Sequence, residues 1–227
     1  MELNVSDDPA PAAAEHIARH LVRAIEARGR AVLALSGGST PLPMFDHLAT
    51  IDLAWASVHV LAVDERNVAR DHPDSNWAEI DARLLRPTGA TGHPFTVAPT
   101  APPTVHDLLA RSDAARLDDL LAASAIDVVH LGLGDDGHTA SWPPGVVVPD
   151  DRTVAAIGPF NGHPRITLTP PPINGACLRV WLVTGASKRQ QLAALAEATS
   201  AAPAALVRRD DTVVFADPAA GGSQPGD

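Results

Sequence analysis

The sequence predicts an α/β fold, a three-layer α/β/α sandwich on a mainly parallel, Rossmann-like sheet. Three observations lead there. Short runs rich in β-branched residues alternate with helical spacing along most of the chain, and several of those runs stop abruptly at glycine-rich or charged turns. A length of 227 residues with 45% apolar content is enough for one large domain with its own core.

In order along the chain, residues 10–28 place Ile17, Leu21 and Ile25 at four-residue intervals between charged positions, an amphipathic helix that Gly29 ends. Residues 31–35 form an apolar strand that stops at Ser-Gly-Gly-Ser-Thr-Pro, where Pro41 suits the first turn of a following helix. A second strand over 58–63 ends at Asp64-Glu65-Arg66, and Ser75 caps a helix reaching Leu85. The Pro- and Thr-rich stretch 98–104 reads as a loop, and 112–124 as a helix with Leu117, Leu120 and Leu121 inward. The strand 126–131 stops at a second glycine-rich turn, Gly-Leu-Gly-Asp-Asp-Gly-His. After an irregular proline-rich segment come strands at 165–169 and 179–184, a helix at 187–198 and a strand at 212–215. Residues 1–217 thus read as one domain, and 218–227, made of Gly, Pro, Ala and polar residues, as a disordered tail.

A formal charge of -10 argues against a nucleic-acid partner, which calls for a basic face, but leaves room for a small anion held by a few local donors. No stretch approaches the length of a membrane helix, so no membrane association is expected. Cys177 has no second cysteine to pair with, and the opening MELNVSDD lacks a basic segment followed by an apolar one. A reducing, cytoplasmic location is expected. No particular assembly is specified, with a monomer preferred.

Ligands of parallel α/β sheets bind beyond the carboxyl ends of the strands, where all three turns converge. In the first, Gly37 and Gly38 let the backbone approach an anion, and Ser39, Thr40 and the amides of a helix start supply donors. An ordinary strand-to-helix turn with a Ser/Thr cap remains open beside that reading. No Lys follows as in a mononucleotide P-loop, Pro41 stands where a nucleophile elbow needs Gly, and no complete dinucleotide fingerprint is present. In the third turn Asp135, Asp136 and His138 gather two carboxylates and an imidazole, suited to proton transfer. Asx-turn chemistry alone is the other reading. The spacings match no familiar metal site, and neither metal nor organic cofactor is expected. Asp64 and Arg66 emerge at the same edge, as site residues or as a plain ion pair. His130, inside a strand, reads as packed.

In order, the segments LSGGSTP, VDERNV with a downstream DSN, GLGDDGHTAS, and RITLTPPPINGA followed by VTGASK resemble the 6-phosphogluconolactonase family from about residue 33 to 217. That resemblance implies hydrolysis of 6-phospho-D-glucono-1,5-lactone to 6-phosphogluconate, a step of the oxidative pentose phosphate pathway. It implies His138 as the base, oriented by Asp136 or Asp64, and Arg66 as the oxyanion donor. Gly37, Gly38, Ser39 and Thr40 would hold the 6-phosphate with Arg165 and Lys188, two isolated cations that only the resemblance promotes. The wider group also contains glucosamine-6-phosphate deaminases, where Asp64 would be the base. Arg66 in the third place of the triplet, and Thr-Ala-Ser after His138, favour the lactonase. A sugar-phosphate sensor without catalysis is the third reading. The chain departs from the family pattern at Trp142-Pro143 and at Phe215, and altered packing near the site mouth is expected there.

Overall fold

The computed structural model describes residues 1–222. Ten strands and eight α-helices follow the chain as β1 (Glu2–Val5), α1 (Pro9–Arg28), β2 (Ala31–Leu35), α2 (Leu42–Thr50), β3 (Val58–Ala62), β4 (Asp64–Arg66) and α3 (Asn76–Ile80). A π-helical turn over Asp81–Leu85 continues α3 into α4 (Arg86–Thr88), and β5 (Thr91–His93), α5 (Pro103–Leu121), β6 (Val128–Leu131) and β7 (Val154–Phe160) come next. The remainder is β8 (His163–Leu168), α6 (Pro170–Asn174), β9 (Leu178–Val183), α7 (Arg189–Ala196), β10 (Thr212–Ala216) and α8 (Pro218–Gly221).

Seven strands form one sheet in the order β1-β10-β9-β6-β2-β3-β5, and every pairing in it is parallel. Every residue of β2, β6, β9 and β10 is buried, so both faces of the sheet are covered, as a parallel sheet requires. On one face α1 packs against α2 and buries Ala10, Ala14, Ile17, Ala18 and Leu21. Gly29 stops α1 in the left-handed region (φ 74°), its amide bonding to Ile25 O at 2.7 Å. Among the described residues no helix is long and apolar enough to cross a membrane.

From β2 the chain builds outward in one direction through β3 and β5, and in the other through β6, β9 and β10. The switch point therefore lies between β2 and β6, at whose carboxyl ends the two glycine-rich turns stand side by side. A second, three-stranded antiparallel sheet, β4-β8-β7, sits over that edge. Asp64-Glu65-Arg66 belongs to it: the chain leaves β3, passes Val63, and pairs Arg66 with Arg165 across β8.

Several sequence expectations are corrected. The strand expected at 165–169 lies in the small antiparallel sheet, and its partner β7 runs through the segment read as irregular. Helix α5 starts nine residues before the expected position, inside the stretch read as loop, because Pro103 occupies a helical first turn where a missing amide costs nothing. Leu117 is buried beneath it, while Leu120 and Leu121 are only partly so. Strands β1 and β5 had no counterpart in the sequence reading; each is short and pairs along a single neighbour at the sheet edge. Of the tail read as disordered, Pro218–Gly221 instead form α8, capped by the Asp217 side chain and with Ala220 buried, and 223–227 lie outside the described residues. Trp142 and Phe215 are not among the residues that line the cleft at the sheet edge. Both are core residues, and the indole Nε1 of Trp142, fully buried, donates to Leu168 O at 2.9 Å, the pairing a buried indole needs.

Candidate active site

Above the switch point lies a cleft of about 200 Å³ lined by the turn after β2, the ends of β4 and β8, the turn after β6, and Lys188. All ten expected site residues except Asp136 line it, and Asp136 stands directly behind His138.

In the turn after β2, Gly38 has φ 99°, a conformation open to glycine, and Gly37 touches its neighbour so closely that a Cβ there would lie 2.2 Å from Asn76 Oδ1. No side chain caps α2, so among the described residues Ser39 and Thr40 do not serve the ordinary helix-cap role. Asn76 reaches back from α3, donating Nδ2 to Asp64 O at 2.9 Å, and so links the cradle to the strand-end triplet.

Glu65, buried, is what fixes that triplet. Its carboxylate accepts from the amides of Arg66 (2.7 Å), Asn76 (2.8 Å) and Trp77 (2.7 Å) and from Ser75 Oγ (3.0 Å), an anion on the first turn of α3. Burial pushes its carboxyl up, and those four donors pull against the rise. Asp64 accepts from Ser141 Oγ at 2.6 Å and faces Arg165 Nη1 at 3.9 Å, so it is engaged away from His138. Arg66 donates Nη1 to Asp74 O at 2.7 Å.

The acidic residues of the loop after β6 point in different directions. Asp136 Oδ1 accepts the His138 amide at 3.0 Å, an Asx turn, and also meets His138 Nδ1 at 2.5 Å. A carboxylate can only accept there, so the pairing assigns the proton to Nδ1 and leaves Nε2 with its lone pair. Burial pushes the Asp136 carboxyl up, but the amide and ring of His138 outweigh it and hold the group below its ordinary value. Of the two carboxylates offered as orienting partner, Asp136 is the one in contact. Asp135 turns the other way, to Lys188 Nζ and to Ser187 Oγ at 2.9 Å, and Lys188 holds its carboxyl below the usual range.

Arg165 is 5% exposed, with Nε and Nη2 donating to Phe160 O at 3.0 and 2.8 Å. Burial lowers its guanidinium below the ordinary value, with Asp64 opposing that effect. Arg66, Arg165 and Lys188 thus present three cations to one cleft in a chain of net charge -10. Sequence reasoning missed Glu65 and Ser141 as supports and Phe160 and Asn161 as lining residues. The dipeptide Asn161-Gly162 between apolar runs is the hairpin signal the sequence carries for this turn.

His130, expected to be packed, is 1% exposed, and among the described residues neither ring nitrogen has a hydrogen-bond partner. Its ring stands edge-on to Phe45 of α2 at 6.4 Å. Burial lowers its pKa from 6.5 to about 3. Above pH 6.5 folded and unfolded forms both carry it neutral; below, only the unfolded chain takes up the proton until about pH 3. Stability is therefore lost as pH falls through that window, by about 1.4 kcal/mol per unit from this group. Equilibrium unfolding of wild type and His130→Leu should show the variant's relative stability growing between pH 7 and 5; a gap independent of pH would contradict it.

No three His, Cys, Asp or Glu side chains converge as a metal-ligand set among the described residues. The family model for glucosamine-6-phosphate isomerases/6-phosphogluconolactonase matches residues 5–215. A 6-phosphogluconolactonase of Synechocystis sp. is 38% identical over 190 residues, 78% of this chain and 75% of that protein. The crystal structure of a 6-phosphogluconolactonase from Shewanella baltica superposes with a TM-score of 0.79 at 29% identity, over 96% of this chain and 97% of that one. A monomeric glucosamine-6-phosphate deaminase shares the fold as well, with a TM-score of 0.78 at 19% identity over 97% of this chain and 98% of that one. The fold alone is therefore common to two chemistries, and the family model's match spans all three turns. With the same α/β frame and a family match over nearly its whole length, the chain belongs to the glucosamine-6-phosphate isomerase/6-phosphogluconolactonase family.

Proposed function

We propose that this chain is a 6-phosphogluconolactonase that hydrolyses 6-phospho-D-glucono-1,5-lactone to 6-phosphogluconate. The observation that carries the reading is the His138–Asp136 pair facing the Gly37-Gly38 cradle across a cleft rich in cations. The relatives' names support it at 38% identity over about three quarters of the chain.

The reaction follows from the groups present. Water attacks the lactone carbonyl carbon while His138 Nε2 takes its proton, and Asp136 stabilises the resulting imidazolium. Negative charge develops on the carbonyl oxygen, where the Arg66 guanidinium offsets it. Collapse of the tetrahedral intermediate breaks the bond from the carbonyl carbon to the ring oxygen, and the imidazolium returns its proton to that oxygen. The product is an open-chain acid. Ser39, Thr40, the amides of Gly37 and Gly38, Arg165 and Lys188 hold the phosphate and thereby position the carbonyl. Asp64, the base a deaminase would need, is engaged by Ser141 and Arg165, an arrangement suited to a fixed anion holding the site together. The reading extends to a cytoplasmic location, consistent with the single, unpaired Cys177.

The test is hydrolysis of freshly generated lactone coupled to 6-phosphogluconate dehydrogenase, against a no-enzyme control because the ester also opens spontaneously. Acceleration is expected, with no ammonia released from glucosamine 6-phosphate; ammonia release without lactone hydrolysis would overturn the reading. Lys188→Ala should raise KM about 10- to 100-fold with kcat nearly unchanged, since one charge-assisted hydrogen bond to a remote phosphate is lost. A fall in kcat at unchanged KM would remove Lys188 from that role.

A further inference from the structure

We infer that Phe160, at the tip of the β7–β8 hairpin, is a positioning residue for the imidazole of His138, an inference that rests on the lactonase reading. The hairpin closes through Asn161 (φ 49°) and Gly162 (φ 86°), two left-handed residues in succession that match the twist of the flanking strands. Phe160 pairs with His163 across this turn. The register shifts between Ile157 and Phe160, an irregularity of the kind that redirects a side chain from its regular face. The redirected ring lines the cleft and meets the His138 imidazole at a centroid distance of 4.9 Å and an interplanar angle of 84°, the edge-to-face arrangement aromatic rings prefer.

The need for such a wall follows from the geometry of the base. His138 is held at Nδ1 by Asp136, and one hydrogen bond leaves an imidazole free to pivot about it. The His138 side chain is 27% exposed, so solvent on its open side offers no restraint. The Phe160 ring supplies the second constraint and keeps Nε2 turned into the cleft. Phe160 is itself fixed on its other side, where Arg165 Cζ lies 5.6 Å from the ring centroid and two guanidinium nitrogens hold the Phe160 carbonyl. The hairpin is tied further to the strand-end loop by the Asn67 amide on Pro164 O (2.9 Å) and by His163 Nε2 with Asp74 Oδ2 (3.0 Å). Asp74 also receives Arg66 on its carbonyl. The hairpin therefore sets the base in register with both arginines of the cleft.

The experiment measures kcat and KM of wild type, Phe160→Ala, Phe160→Leu and Phe160→Tyr on the phosphorylated lactone, with thermal unfolding to verify that each variant is folded. Phe160→Tyr should keep kcat within about twofold, while Phe160→Ala and Phe160→Leu lose about tenfold in kcat with KM changed less than about threefold. The carbonyl contacts to Arg165 come from the backbone and survive all three substitutions, which is why the loss falls on kcat. Phe160→Leu keeps apolar cover without the ring, so it decides the matter if the alanine variant does not fold. Wild-type turnover in Phe160→Leu, or a loss confined to KM, would overturn the inference while leaving the reaction standing. A wild type that does not accelerate lactone hydrolysis would overturn the reaction first, and the inference with it.

Discussion

Replacing His138 by alanine is expected to lower kcat by about 10²- to 10⁴-fold with little change in KM, the loss expected of a general base. The direction follows from the site: Nδ1 is committed to Asp136, the ring lines the cleft, and among the described residues no second imidazole is free to take over. His130 also lines the cleft, but burial holds it neutral with a pKa of about 3 and leaves both nitrogens out of contact with solvent. The groups proposed to hold the phosphate are untouched by the substitution, so KM should barely move. Near-wild-type kcat in purified, folded His138→Ala would remove this residue from the chemistry. Background hydrolysis has to be subtracted, because a loss of this size brings the enzyme close to the spontaneous rate.

The second large effect is expected at a position with no functional group. In Gly134→Ala the added Cβ would lie 2.0 Å from His138 Nδ1, 2.2 Å from Cε1 and 2.7 Å from Asp136 Oδ1. Contacts that short do not persist, so the imidazole must swing away and its bond to Asp136 must break. Gly134 does not need a positive φ, and its amide bond to His138 O at 2.8 Å is compatible with alanine. The variant should therefore fold and lose about 10²-fold in kcat, because the base is present but misplaced. Thermal unfolding together with kcat separates the outcomes. A folded Gly134→Ala with wild-type turnover would mean that the His138–Asp136 contact is dispensable.

These two residues also mark what was legible beforehand. The sequence marks the turn after β6 as glycine-rich, and one of those glycines, Gly134, leaves the space that the His138 imidazole occupies. That the loop concentrates proton-transfer groups was visible from composition alone. Which carboxylate orients the imidazole was not, because Asp135, Asp136 and Asp64 are alike in sequence and differ only in where their oxygens point. Asp135 answers Lys188, Asp64 answers Ser141 and Arg165, and Asp136 answers His138. The hairpin bearing Phe160 escaped for a different reason. Strand β8 is expected near 165–169, but its partner β7 pairs with β8 alone and a register shift breaks its alternation, so the apolar pattern does not announce it.

The sequence by itself determined the α/β class, a mainly parallel sheet and the convergence of three turns at one edge. Alternating periodicity, glycine and charge are local properties, and the handedness of crossovers brings the carboxyl ends of the main sheet's strands to the same side. Only the tertiary structure decided that the triplet leaves the main sheet for a second one, that Trp142 and Phe215 are core, and that a hairpin 22 residues beyond His138 supplies the wall of its pocket. Those outcomes depend on pairings between segments distant in sequence, whose energies are set by packing and by hydrogen-bond geometry in three dimensions. A single chain of letters does not carry that information locally.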